Sequence, residues 1–213
     1  MGMMSLFTNP AEAIMQAKAT RSMGTAILLL LIVSVLLAIS AGVTTAVRTS
    51  SYSSYGYGSY YRPQTEAGGI VISAFVTFMG VFLGGLFLGY LTSVAMKTLS
   101  GTGGFFEGVA SIAYSIFVPG ITLFVAGLLS LGGAASRDAT AMSAVTLLGA
   151  VLILWGAILG FATLYRSLKE LFSTDMITAY VGAVVLTLGV VVVFYYMLAT
   201  AMMPYISMMG IGL

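Results

Sequence analysis

Five long stretches of the chain carry almost no charge, and short polar segments separate them. A helix rises 1.5 Å per residue, so about 20 apolar residues cross the roughly 30 Å of hydrocarbon in a bilayer. The pattern therefore predicts membrane spans at about 24–47, 68–96, 105–131, 141–164 and 176–200, within a membrane domain covering 24–208. Ahead of them, residues 1–23 form an amino-terminal segment with its own helix signal: Asn9 as cap, Pro10 at the first helical position and Glu12 where a capping-box acid belongs. Ala11, Ile14, Met15 and Lys18 share one side at helical spacing, which predicts a short amphipathic helix resting on the bilayer surface with Lys18 snorkelling. The fold class is all-α, a polytopic membrane protein built as a five-transmembrane-helix bundle.

The polar segments differ in kind. Residues 48–67 are a Ser/Tyr/Gly-rich loop without aliphatic residues, whose tyrosines suit the headgroup level. Tyr165 to Asp175, before the last span, is the most charged stretch. Lys18, Arg21, Lys97, Arg166 and Lys169 fall on the amino-terminal side of the membrane, and Arg48, Arg62 and Arg137 on the other. The excess predicts a cytoplasmic amino terminus, an external loop at 48–67 and an external carboxy terminus.

Composition narrows the chemistry. Hydrophobic residues make up 60% of the chain and charged residues 7%. With no Cys and no His, thiol nucleophiles, disulfides, the usual thiolate and imidazole metal sites and Ser-His-Asp hydrolysis lack their reacting groups. The methionines at 202–209 suit flexible apolar packing better than copper(I). No catalytic, cofactor-binding or metal-binding residue is expected, and a net charge of +2 gives no footprint for nucleic acid.

Glycine spacing marks where helices approach. Gly80, Gly84, Gly85 and Gly89 make two overlapping Gly-x-x-x-Gly pairs in the second span, and Gly156 and Gly160 repeat the spacing in the fourth. Such faces serve either packing inside the bundle or homodimerisation. Trp155 sits mid-span, where it is expected to fill core space.

The candidate functional stretch begins at Gly103-Gly104 and enters the third span through Glu107, Ser111 and Tyr114 to Pro119. Glu107, Ser111 and Tyr114 lie on one helix face, and Pro119-Gly120 is expected to kink or divide the helix. Three roles stand open for Glu107: stabilisation at the interface by the helix dipole, a buried hydrogen bond to another helix, or a site for an ion, proton or partner.

This Gly-Gly, Glu, Tyr, Pro series, in a five-span chain with an Asn9-Pro10 lead-in and a charged loop before the last span, resembles the Yip1 family over about residues 5–200. The resemblance implies a five-helix bundle with a cytoplasmic amino terminus, and carries over the family motif positions Gly104, Glu107, Tyr114 and Pro119 without a known chemistry. Eukaryotic relatives are linked to Rab GTPases and vesicle traffic through longer amino-terminal regions. The short region here is similar to the prokaryotic branch and implies a cell-membrane location. The expected function is a non-enzymatic membrane protein that organises membranes or recruits partners, with the bilayer and a homodimer or membrane-protein partner as its contacts. The alternative is a small ion or solute channel or transporter using the Glu107 region.

Overall fold

The computed structural model describes residues 10–52, 67–100, 103–135 and 139–191. They form six helices: α1 Pro10–Thr20, α2 Met23–Tyr52, α3 Ala67–Ser100, α4 Phe105–Ala135, α5 Ala139–Leu171 and α6 Met176–Val191. Segments Met23–Ala46, Gly68–Leu99, Phe105–Leu129 and Ser143–Leu171 are each long and apolar enough to cross a membrane, and α6 is a shorter apolar helix. Most of the tyrosine-rich loop, Arg137-Asp138, the methionine-rich tail and the end of the fifth span lie outside the described residues.

The helix starts have legible causes. Ser22 caps α2, its Oγ accepting from the Thr25 backbone N–H at 3.3 Å. Asp175 caps α6, with Oδ2 accepting from the N–H groups of Ile177 and Thr178 at 3.0 Å each. Both satisfy donors that the first helical turn leaves without an intrahelical partner.

α4 is the helix around which the bundle is built, packing against α2, α3 and α5. Its buried face includes Val109, Ala110, Ala113, Tyr114, Phe117 and Val118. Small residues set how closely its neighbours approach. A methyl group at Gly89 would come 2.7 Å from the Val109 Cα, and one at Gly108 would collide with the Gly89 carbonyl oxygen, so α3 and α4 cross almost backbone to backbone. Gly120 gives the same clearance to Val33 of α2, at 2.5 Å to its Cγ1. On α5, Gly160 lies over the Pro119 ring and Gly156 over Thr122.

Several expectations change. Gly85 and Gly89 make close approaches, to Leu30 and Val109, whereas among the described residues nothing lies within 4 Å of a methyl group at Gly80 or Gly84. Of the two outcomes expected at Pro119, a kink or a division, the division does not occur: α4 runs unbroken through it. The Pro119 ring itself packs against Gly160 of α5, so the disturbed turn is braced by a neighbour. Trp155 does not fill the core: it is 60% exposed on the outer face of α5. Glycines occupy the inner face of that helix, so the bulky indole is left pointing outward.

The side of α1 that the sequence grouped together is divided between protein and exposed positions. α1 packs against α5, burying Ala13, Ile14 and Ala17 among residues that include Leu168, Leu171 and Phe172, while Met15 is exposed. Ile14 belongs to the protein core and not to a bilayer-facing stripe with Met15. The packing depends on Ala13 and Ala17, which let α1 approach closely where a membrane-facing helix would want bulk.

Candidate functional site

The carboxy-terminal ends of α1 and α5 meet the amino terminus of α4 in one polar joint. At its centre is Glu107, at 8% exposure. Gly104 precedes the first residue of α4, which makes Glu107 the third helical position. Its Oε2 accepts the Gly104 backbone N–H at 2.9 Å, the reach-back half of a capping box. Its Oε1 lies 3.3 Å from Arg21 Nη2, an ion pair between a buried carboxylate and a guanidinium that is 77% exposed. Glu107 thus caps its own helix and ties that helix to the turn after α1.

Lys18 makes the second tie. Its Nζ donates to the Glu170 backbone oxygen at 2.5 Å and to Ser173 Oγ at 2.8 Å. A cation at the carboxy-terminal end of α5 complements the partial negative charge of the carbonyls there.

The joint also contains every left-handed backbone position among the described residues: Arg21 at φ 44°, Ser173 at φ 51° and Gly103 at φ 92°. Arg21 and Ser173 end α1 and α5, where a reversal of hand closes the helix; the Arg21 N–H bonds Ala17 O at 2.9 Å and the Thr174 N–H bonds Lys169 O at 3.2 Å. Glycine usually fills such positions, because a Cβ in this region costs roughly 1–2 kcal/mol. At Gly103 the requirement is doubled, since any side chain would strike the Phe172 ring. These turns surround a cavity of about 160 Å³ lined by Lys18, Arg21, Gly103, Glu107 and Ser173 on its polar side and by Phe106, Leu171 and Phe172 on its apolar side.

Ser111 and Tyr114 follow Glu107 down the same face of α4, and both are buried. Their hydroxyls have no hydrogen-bond partner among the described residues. Pro119 lies further along α4 at the contact with α5. The residues singled out in the sequence thus make up the α4 side of this joint, and its other half was not among them. Ser173 and Phe172 received no role, Lys18 was read as a snorkelling interfacial cation, and Arg21 entered only the count of basic residues on the amino-terminal side.

A second cavity of about 280 Å³ opens between α2, α3 and α4 and is almost wholly apolar. Gly80 and Gly84 of α3 form one wall, with Ile112, Ile116 and Pro119 of α4 across from them. The open half of the glycine series therefore faces a groove at membrane depth.

A helical bundle with four long apolar helices, a shorter fifth and its charges at the helix ends defines an integral membrane protein in contact with lipid. Its residues 4–197 match the Yip1 domain. The chain belongs to the Yip1 family. Gly104, Glu107, Tyr114 and Pro119, the positions carried over from the resemblance, all lie on or beside α4. Comparison with curated proteins and with solved structures gave no match.

Proposed function

We propose that the protein is a non-enzymatic membrane organiser, which recruits partners or a second copy of itself to the membrane. The observation that carries this reading is the use made of Glu107. An acid serving a pore must exchange partners with passing ions or protons. This one is held by its own helix's Gly104 N–H and by Arg21, in the first turn of α4. The groove between α2, α3 and α4 offers apolar surface and small residues, which suits packing against another helix or lipid chains. The absence of Cys and His from the sequence supports a role without bond chemistry.

In this reading the amino terminus, with α1 and the joint, faces the cytoplasm, following the five-to-three distribution of Lys and Arg, and the membrane is a prokaryotic cell membrane. The test is a proteoliposome ion- and solute-flux assay combined with chemical crosslinking of the same vesicles. The organiser reading expects no flux above empty vesicles and a crosslinked dimer or partner complex. Flux abolished by Glu107→Gln would overturn it in favour of a channel or transporter.

A further inference from the structure

We infer that the joint between α1, α4 and α5 is a binding site for the phosphate of an anionic phospholipid headgroup. The site lies at the right depth. Arg21 stands two residues before Met23, where the first span begins; Leu171 is the last residue of the fourth span, and Phe105 is the first of the third. The cavity is therefore level with the headgroups, where phosphate is the abundant anion.

Its donors are not fully used. Arg21 gives one nitrogen to Glu107 at 3.3 Å and leaves the rest of a planar, multidentate guanidinium exposed. Lys18 has three N–H groups and two protein acceptors. Glu107 is the one carboxylate lining the cavity, and it already accepts from Gly104 N and pairs with Arg21. Counting Lys18 and Arg21 against Glu107, two cations less one anion, the local balance is +1. An incoming phosphate supplies the missing negative charge and can bridge Arg21 and Lys18 with charge-assisted hydrogen bonds.

The apolar wall made by Phe106, Leu171 and Phe172 distinguishes a lipid from a free anion. A phosphate ion gains nothing from it, whereas the glycerol and first methylenes of a lipid would lie along it. The backbone is held ready for this contact. Arg21 and Ser173 keep left-handed conformations that glycine would adopt more cheaply, and both present side chains to the cavity. Basic pockets between membrane helices at the cytoplasmic side bind anionic headgroups by this chemistry. The proposal goes beyond the organiser reading and does not depend on it.

The experiment is native mass spectrometry of the full chain in mild detergent, titrated with an equimolar mixture of phosphatidylglycerol and phosphatidylcholine. The expected result is selective retention of phosphatidylglycerol, reduced roughly fivefold for each charge removed in Lys18→Gln and Arg21→Gln. Lys97→Gln, on the same side but outside the cavity, should leave retention unchanged. Should the glutamine variants fail to elute as folded, monodisperse protein, Arg21→Lys is the deciding variant, expected to hold most of the selectivity because the charge is kept. Equal retention of the two lipids, or selectivity indifferent to both Lys18→Gln and Arg21→Gln, overturns the site. If inorganic phosphate alone raises the melting temperature as much as phosphatidylglycerol does, and Arg21→Gln removes both effects, the ligand is a free anion and the lipid assignment falls. Saturable binding of an acidic peptide without lipid selectivity overturns it in favour of a protein partner.

Discussion

Removing Glu107 in two ways separates its two contacts. Glu107→Ala deletes both the bond to Gly104 N–H at 2.9 Å and the ion pair with Arg21 at 3.3 Å. A hydrogen bond to a charged group contributes about 1.5–3 kcal/mol. The pair adds at most about 1 kcal/mol, because Arg21 is exposed and water screens it. The expected loss in Glu107→Ala is therefore about 1.5–4 kcal/mol. Glu107→Gln retains a carbonyl oxygen that can still accept the Gly104 N–H but loses its charge and the ion pair, so its loss should be about 1–2 kcal/mol. Arg21→Gly removes the same ion pair but relieves a left-handed backbone at φ 44°. That relief is worth roughly 1 kcal/mol, so this variant should be close to neutral. Equilibrium unfolding of the four proteins in one mixed-micelle system, followed by far-ultraviolet circular dichroism, measures the set. A loss in Glu107→Gln equal to that in Glu107→Ala would refute the capping argument and make the ion pair the dominant contact.

The remaining expectations concern packing, exposure and pH. Because the Tyr114 hydroxyl is buried without a partner among the described residues, Tyr114→Phe should be neutral or stabilising by up to about 1 kcal/mol in the same unfolding assay; a clear loss would mean that the hydroxyl is satisfied. Gly108→Ala drives a methyl group into the Gly89 carbonyl and should cost about 1–3 kcal/mol, whereas Gly80→Ala meets open space and should lie within about 0.5 kcal/mol of wild type. Trp155 is the chain's one tryptophan and faces outward, so brominated acyl chains should quench most of the emission; protection from quenching would put the indole back in a helix contact. Asp175 is held below the usual carboxylate range by the side-chain hydrogen bond with Thr178 and then by the N–H groups of Thr178 and Ile177. Its cap on α6 is thus fully present above the ordinary aspartate range and is lost as pH falls through the lowered value. Protection of the Ile177 and Thr178 amides, corrected for the intrinsic exchange rate, should fall only at the acid end, and Asp175→Asn should flatten that dependence.

The hydrophobic pattern determined most of the architecture, because a bilayer accepts few solutions. Each apolar stretch of more than about 20 residues must satisfy its own backbone, and only a helix does so within one segment. Glu107's place in the first turn was legible for the same local reason: Gly104 and Glu107 are three residues apart, and a capping box needs nothing more distant. Tertiary structure decided what spacing leaves degenerate. Gly80, Gly84, Gly85 and Gly89 read alike in one dimension, yet among the described residues the last two alone meet neighbouring helices closely, because a helix in lipid can turn any face outward without penalty from water. Trp155 faces outward for the same reason. The pairing of Arg21 with Glu107 and of Lys18 with Ser173 joins residues 86 and 155 positions apart, read from the positions themselves. Those contacts exist only once Ala13 and Ala17 have let α1 settle on α5, so no local pattern encodes them.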